Sequence, residues 1–104
     1  MKHFIELNRL QVKDSLPGAT ASYFETNNFT LAYTEMKAGA IIPVHEHPNE
    51  AIDIILDGIL EMQVDDKSSL LATGMMSFVP SNILHGAKAI TDCKVVSIFY
   101  PKKD

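Results

Sequence analysis

His45 and His47 stand one residue apart in the run Ile41-Ile42-Pro43-Val44-His45-Glu46-His47-Pro48-Asn49-Glu50. On an extended backbone, side chains alternate faces with period two, so both imidazoles point to the same side. That arrangement suits two ligands of one metal ion. A third histidine, His85, follows a second stretch, Gly74 to Pro80, that returns toward the same place. A lone histidine on an apolar face is more often a packed, hydrogen-bonded residue. Two at period two with a third to match favour a shared metal over separate packing roles. Three imidazoles leave coordination positions open, as a chemically useful rather than structural metal requires. The cofactor expected is one divalent transition metal: zinc, iron, nickel or manganese all accept imidazole, and the residues do not choose among them. His3 lies outside any motif and reads as exposed or half-packed.

The elements that must position these rings are strands. No stretch longer than about two turns keeps a helical period, so the chain reads as all-β. A weak alternation from Phe4 to Val12 suggests a peripheral strand, and Asp14 to Gly18 a turn. Ala21–Thr26, Phe29–Met36, Ile41–His47, Ala51–Leu56, Ile59–Val64, Ser68–Thr73, Met75–Val79, Ile83–Ile90 and Lys94–Tyr100 read as strands. Gly and Asp-Gly turns separate them at short intervals, the pattern of a sandwich or barrel. Within Phe29–Met36, Thr30, Ala32, Thr34 and Met36 share one face.

With 104 residues, a single domain over 1–104 is the expectation. A hydrophobic content of 46% suits a folded domain, and a net charge of -4 with no basic block argues against a nucleic-acid partner. Lys102-Lys103 reads as a solvated tail. No signal peptide is visible, and no apolar run approaches the ~20 residues of a membrane helix. Cys93 stands alone, which fits a reducing cytoplasm. It reads as a small residue near a strand end rather than a catalytic thiol.

With both histidine stretches in place, the chain resembles the cupin family, small double-stranded β-helix (jelly-roll) barrels. Gly39, His45, His47 and Gly58 match the first cupin motif at the family's spacing, and Gly74, Pro80 and His85 match the second. The motifs lie within residues 39–100. Asn82 replaces the second motif's glycine, and asparagine tolerates the left-handed backbone that position uses. The segment Pro80 to Ala87, with Asp92 to Val96, is most similar to small cupins that open the ring of unsaturated uronate monosaccharides. The resemblance implies a related scaffold. It also implies pairing of two copies through an outer sheet face, and the outward apolar set Ile52, Ile54 and Leu56 fits a homodimer.

The departures bear on chemistry. The subgroup's fourth ligand aligns with Ala51, which has no donor atom, and the second motif's asparagine aligns with Ala89. The subgroup's late aspartate and arginine align with Ser97 and Lys103; lysine can hold a carboxylate only as a point charge. Asp53 keeps the parity of position 51 and so faces the barrel interior, roughly 6–7 Å further along at ~3.3 Å per residue; a slipped register would turn it outward. At that distance it reaches a water or a substrate sooner than the metal. An inward carboxylate needs a partner. Parity offers Ile55, Met62, Met76, Phe78 and Phe99 as interior residues. Most read as barrel core, and Met76, Phe78 and Phe99 are the pocket candidates.

Three functions stay open. The first is a metalloenzyme acting on a small carbonyl or sugar-acid metabolite, with Asp53 moving a proton. The second is a three-histidine iron oxygenase, a variant the resemblance allows. The third is a ligand-binding barrel with a degenerate metal site, which Ala51 and Ala89 favour.

Overall fold

The computed structural model describes residues 3–103. A 3-10 turn at Leu7–Arg9 precedes ten strands: β1 Val12–Leu16, β2 Ala19–Glu25, β3 Thr30–Met36, β4 Ile41–His45, β5 Glu50–Asp57, β6 Ile59–Val64, β7 Lys67–Ala72, β8 Met76–Val79, β9 His85–Ala89 and β10 Cys93–Tyr100. They form a six-stranded sheet in the order β1-β2-β3-β10-β5-β8 and a four-stranded sheet in the order β4-β9-β6-β7. Neighbouring strands are antiparallel. This is the all-β jelly-roll expected. No helix among the described residues is long and apolar enough to cross a membrane.

The first strand is where sequence and structure part. Expected over Phe4–Val12, it lies at Val12–Leu16 instead, running into the Asp14–Gly18 segment read as a turn. Every β1 residue is exposed, so no apolar alternation marks it, and backbone pairing to β2 holds it. Gly18, at φ +77, makes the turn that follows.

The core lies between the sheets. Ile55 and Val79 from one sheet and Leu60 and Leu71 from the other are almost fully buried. Many inward positions carry alanine: Ala19, Ala32, Ala51 and Ala89 are all buried. Small side chains cannot fill a small barrel, and a cavity of about 430 Å³ remains between the sheets. At the Asp57-Gly58 turn, φ is +96 and a Cβ would lie 2.2 Å from the Asp92 carbonyl oxygen, so only glycine fits.

Candidate metal centre

β4 ends at His45, two residues earlier than the alternation suggested, and His47 stands in the loop beyond it. His45 pairs directly across the sheet with His85 at the start of β9. The Asn82 backbone N–H donates to the His47 carbonyl at 2.8 Å and ties the loop before β9 to the loop after β4. Asn82 makes that contact at φ +60, the left-handed region.

Each imidazole is fixed by one local bond. Nδ1 of His45 meets the Pro43 carbonyl at 2.8 Å, that of His47 the Asn49 carbonyl at 2.9 Å, and that of His85 the Ile83 carbonyl at 2.8 Å. A carbonyl only accepts, so each Nδ1 carries the proton and each Nε2 keeps its lone pair. The ring centroids are 5.5, 4.3 and 4.6 Å apart, and the ligand atoms lie within 4.8 Å of one another. Nε2 of His47 is buried without a hydrogen-bond partner. An orphaned acceptor at the meeting point of three lone pairs fits a cation. Burial lowers the His47 pKa from 6.5; the Asn49 carbonyl raises it, and the charges of His85, Lys103 and His45 lower it again. The net effect keeps the ring neutral, as a ligand must be. Among the described residues, the three histidines alone could hold a metal together, and Asp53 does not join them.

A model of the cupin domain matches residues 32–99. The chain belongs to the cupin family. This cupin is 28% identical over 100 residues to "H2HPP isomerase" of Bacillus subtilis, a match covering 93% of this chain and 42% of that one. It thus spans under half the length of that relative. Its backbone follows KdgF from Halomonas sp. with a TM-score of 0.90 at 22% identity, over 100% of this chain and 97% of that one. An RmlC-like cupin from Shewanella frigidimarina agrees equally well, with a TM-score of 0.90 at 22% identity over 100% and 95% of the two chains. At such identity these likenesses speak for the fold.

The cavity of this cupin holds His45, His47 and His85 at one wall, with Ala51, Asp53 and Phe99 also lining it. Ala51 is buried and offers no ligand atom. Asp53 faces inward, as parity requires, and has the partners an inward carboxylate needs. Ser77 Oγ donates to one oxygen at 3.0 Å and Ser97 Oγ to the other at 2.5 Å. Ser77 and Ser97 are its direct cross-strand neighbours on β8 and β10. Phe99 stands edge-on to His47, centroids 5.5 Å apart.

Met76 and Phe78 do not line the cavity. They are 52% and 50% exposed on the outer face, opposite Ile54 and Ile52. Ser77 takes the inward place between them to reach Asp53, so the polar residue of β8 points in and the apolar ones point out. Lys103, read as part of a solvated tail, is instead half-buried and lines the cavity, while Lys102 is exposed. Asn49 Nδ2 donates to the Pro101 and Lys102 carbonyls at 2.6 and 3.3 Å, which turns the tail inward. Tyr23 and Asp14 also line the cavity, and no sequence motif marked them.

Proposed function

We propose that this cupin is a metal-dependent enzyme acting on a small, oxygen-rich metabolite of the sugar-acid class. His45, His47 and His85 hold one divalent transition metal, of which zinc, iron, nickel and manganese suit imidazole. The observation that carries this is the common protonation of the three rings. Every Nδ1–H is taken by a carbonyl, and the Nε2 of His47 is left buried and unpaired. A metal in this seat supplies Lewis acidity toward a carbonyl or carboxylate oxygen. Phe99 and the inward alanines shape an apolar wall that limits water around the substrate. Asp53 acts as the group that takes a proton from the substrate and returns it. Two serine hydroxyls fix its carboxylate, each oxygen retains a lone pair, and the group fronts the same cavity. The match to an isomerase agrees with such proton-shifting chemistry.

The outer face of β5 and β8 supports a homodimer, and the buried thiol of Cys93 fits a cytoplasmic setting. Metal analysis of purified protein, before and after reconstitution, tests the central claim. One equivalent of metal, lost in His47→Ala, supports it, and isomerisation of sugar acids followed by proton NMR then tests the activity. Absence of metal after reconstitution overturns it in favour of a binding barrel with a degenerate site. Stoichiometric iron with oxygen uptake overturns the Lewis-acid chemistry in favour of an oxygenase.

A further inference from the structure

The reaction proposed above leaves a second polar cluster in the same cavity unused. Its centre is Lys103. The backbone N–H of Lys103 donates to Thr30 Oγ1 at 2.9 Å, which anchors the tail on β3. Its ammonium lies 4.4 Å from the centroid of Phe99 and 5.6 Å from that of Tyr23, and donates to Tyr23 Oη at 3.4 Å. Tyr23 Oη donates in turn to the Asp14 carboxylate. Burial first, then the Asp14 bond and charge and the Glu25 charge, push the Tyr23 phenol far above its ordinary pKa. The phenol therefore keeps its single proton, points it at Asp14 as a hydrogen-bond donor and offers a lone pair to Lys103. An ammonium has three donors, and this arrangement takes one. Among the described residues no carboxylate pairs directly with Lys103. Asp14, Tyr23 and Lys103 all line the cavity that holds the histidines.

We propose that Asp14 and Tyr23 are positioning residues that hold the Lys103 ammonium as the seat for a ligand carboxylate, making the edge strand β1 part of the binding site. This rests on the sugar-acid function proposed above and assigns the side chains that would hold the acid's carboxylate. A free lysine stem samples many rotamers, and ordering it on binding costs affinity. The Asp14–Tyr23 pair meets part of that cost beforehand. It also brings a compensating negative charge near the ammonium, with the phenol interposed so that the remaining donors stay available. Asp53 has no donor when ionised, so it accepts ligand hydroxyls and repels the carboxylate toward Lys103.

The test is NMR titration of the full chain with D-glucuronate and with D-glucose, in metal-free and metal-loaded protein. The intact chain should prefer glucuronate by about tenfold, the scale of one charge-assisted hydrogen bond. Tyr23→Phe keeps the ring beneath the ammonium and removes only the relay. It and Asp14→Asn should each weaken glucuronate about fivefold, leave glucose and metal content unchanged, and Asp14→Glu should recover part of the loss. No preference in the intact chain overturns the inference. So does unchanged glucuronate binding in both variants, or equal loss of both sugars, which is what a purely structural pair would give. If the chain takes no metal yet keeps the glucuronate preference, the proposed function fails and this inference stands.

Discussion

The three imidazoles are held by carbonyls of their own local segments, each two residues away, so the tautomers are set without help from distant parts of the fold. With the metal seated as proposed, removing one ring removes a ligand outright. His85→Ala should therefore lower metal affinity by more than the about 10–100-fold that loss of an outer-shell partner costs. Calorimetric titration of the metal into both proteins measures this. His47 adds a pH dependence with a defined sign. Its folded pKa is lowered from 6.5 chiefly by burial. Below 6.5 the unfolded chain binds a proton that the folded chain refuses, so stability is lost as pH falls through that value toward the folded pKa, and is full above it. Urea midpoints of metal-free protein should be lower at about pH 5.5 than at about pH 7.5, with a smaller difference in His47→Gln. Metal binding, which needs the neutral ring, should weaken in the same direction.

At the scale of elements, the site depends on two loops that meet at Asn82 and His47. Asn82 donates to the His47 carbonyl from a left-handed backbone, where asparagine is tolerated and most residues are not. Asn82→Ala should cost about 1 kcal/mol, while Asn82→Gly should keep the wild-type urea midpoint to within a few tenths of a kcal/mol. This turn was legible because the second cupin motif keeps a glycine where Asn82 stands. The inward course of Asp53 was legible too, since parity along β5 follows from position 51. The phase of β8 was not. Met76 and Phe78 read as interior by parity, yet β8 takes its phase from its partner β5, where Ser77 must face Asp53. Pairing of that kind is non-local and leaves no mark in a four-residue strand. β1 was illegible for a related reason: Lys13, Asp14 and Ser15 have no apolar face to bury, and backbone bonds to β2 hold them. Asp14 and Tyr23 thus meet Lys103 from opposite ends of the chain, with no common motif.

At the scale of the whole molecule, the inversion of β5 and β8 has a consequence beyond the cavity. An open antiparallel sheet ordinarily shows water its polar side. Here Asp53 and Ser77 face in, while Ile52, Ile54, Met76 and Phe78 face out as two adjacent cross-strand pairs. β10 extends the same rows, with Ile98 beside Ile52 and Val96 beside Ile54. Leu56, expected to continue the apolar set, sits at the bulge where β5 and β10 change register and lies outside these rows. A typical stable interface removes about 800 Å² per partner, roughly an eighth of this chain's 6671 Å². A twofold pairing of this outer face would bury the patch against itself, since an isologous interface uses the same surface twice. Phe78→Lys introduces a charge into this patch, on the sheet's edge strand β8, without touching the cavity. Light scattering at micromolar concentration should give the mass of two chains for the wild type and of one for the variant, with metal uptake equal in both. A monomeric wild type would remove the homodimer and leave the outward isoleucines without a role. A dimeric Phe78→Lys would move the contact to another surface, with the exposed strand β1 the next edge to probe.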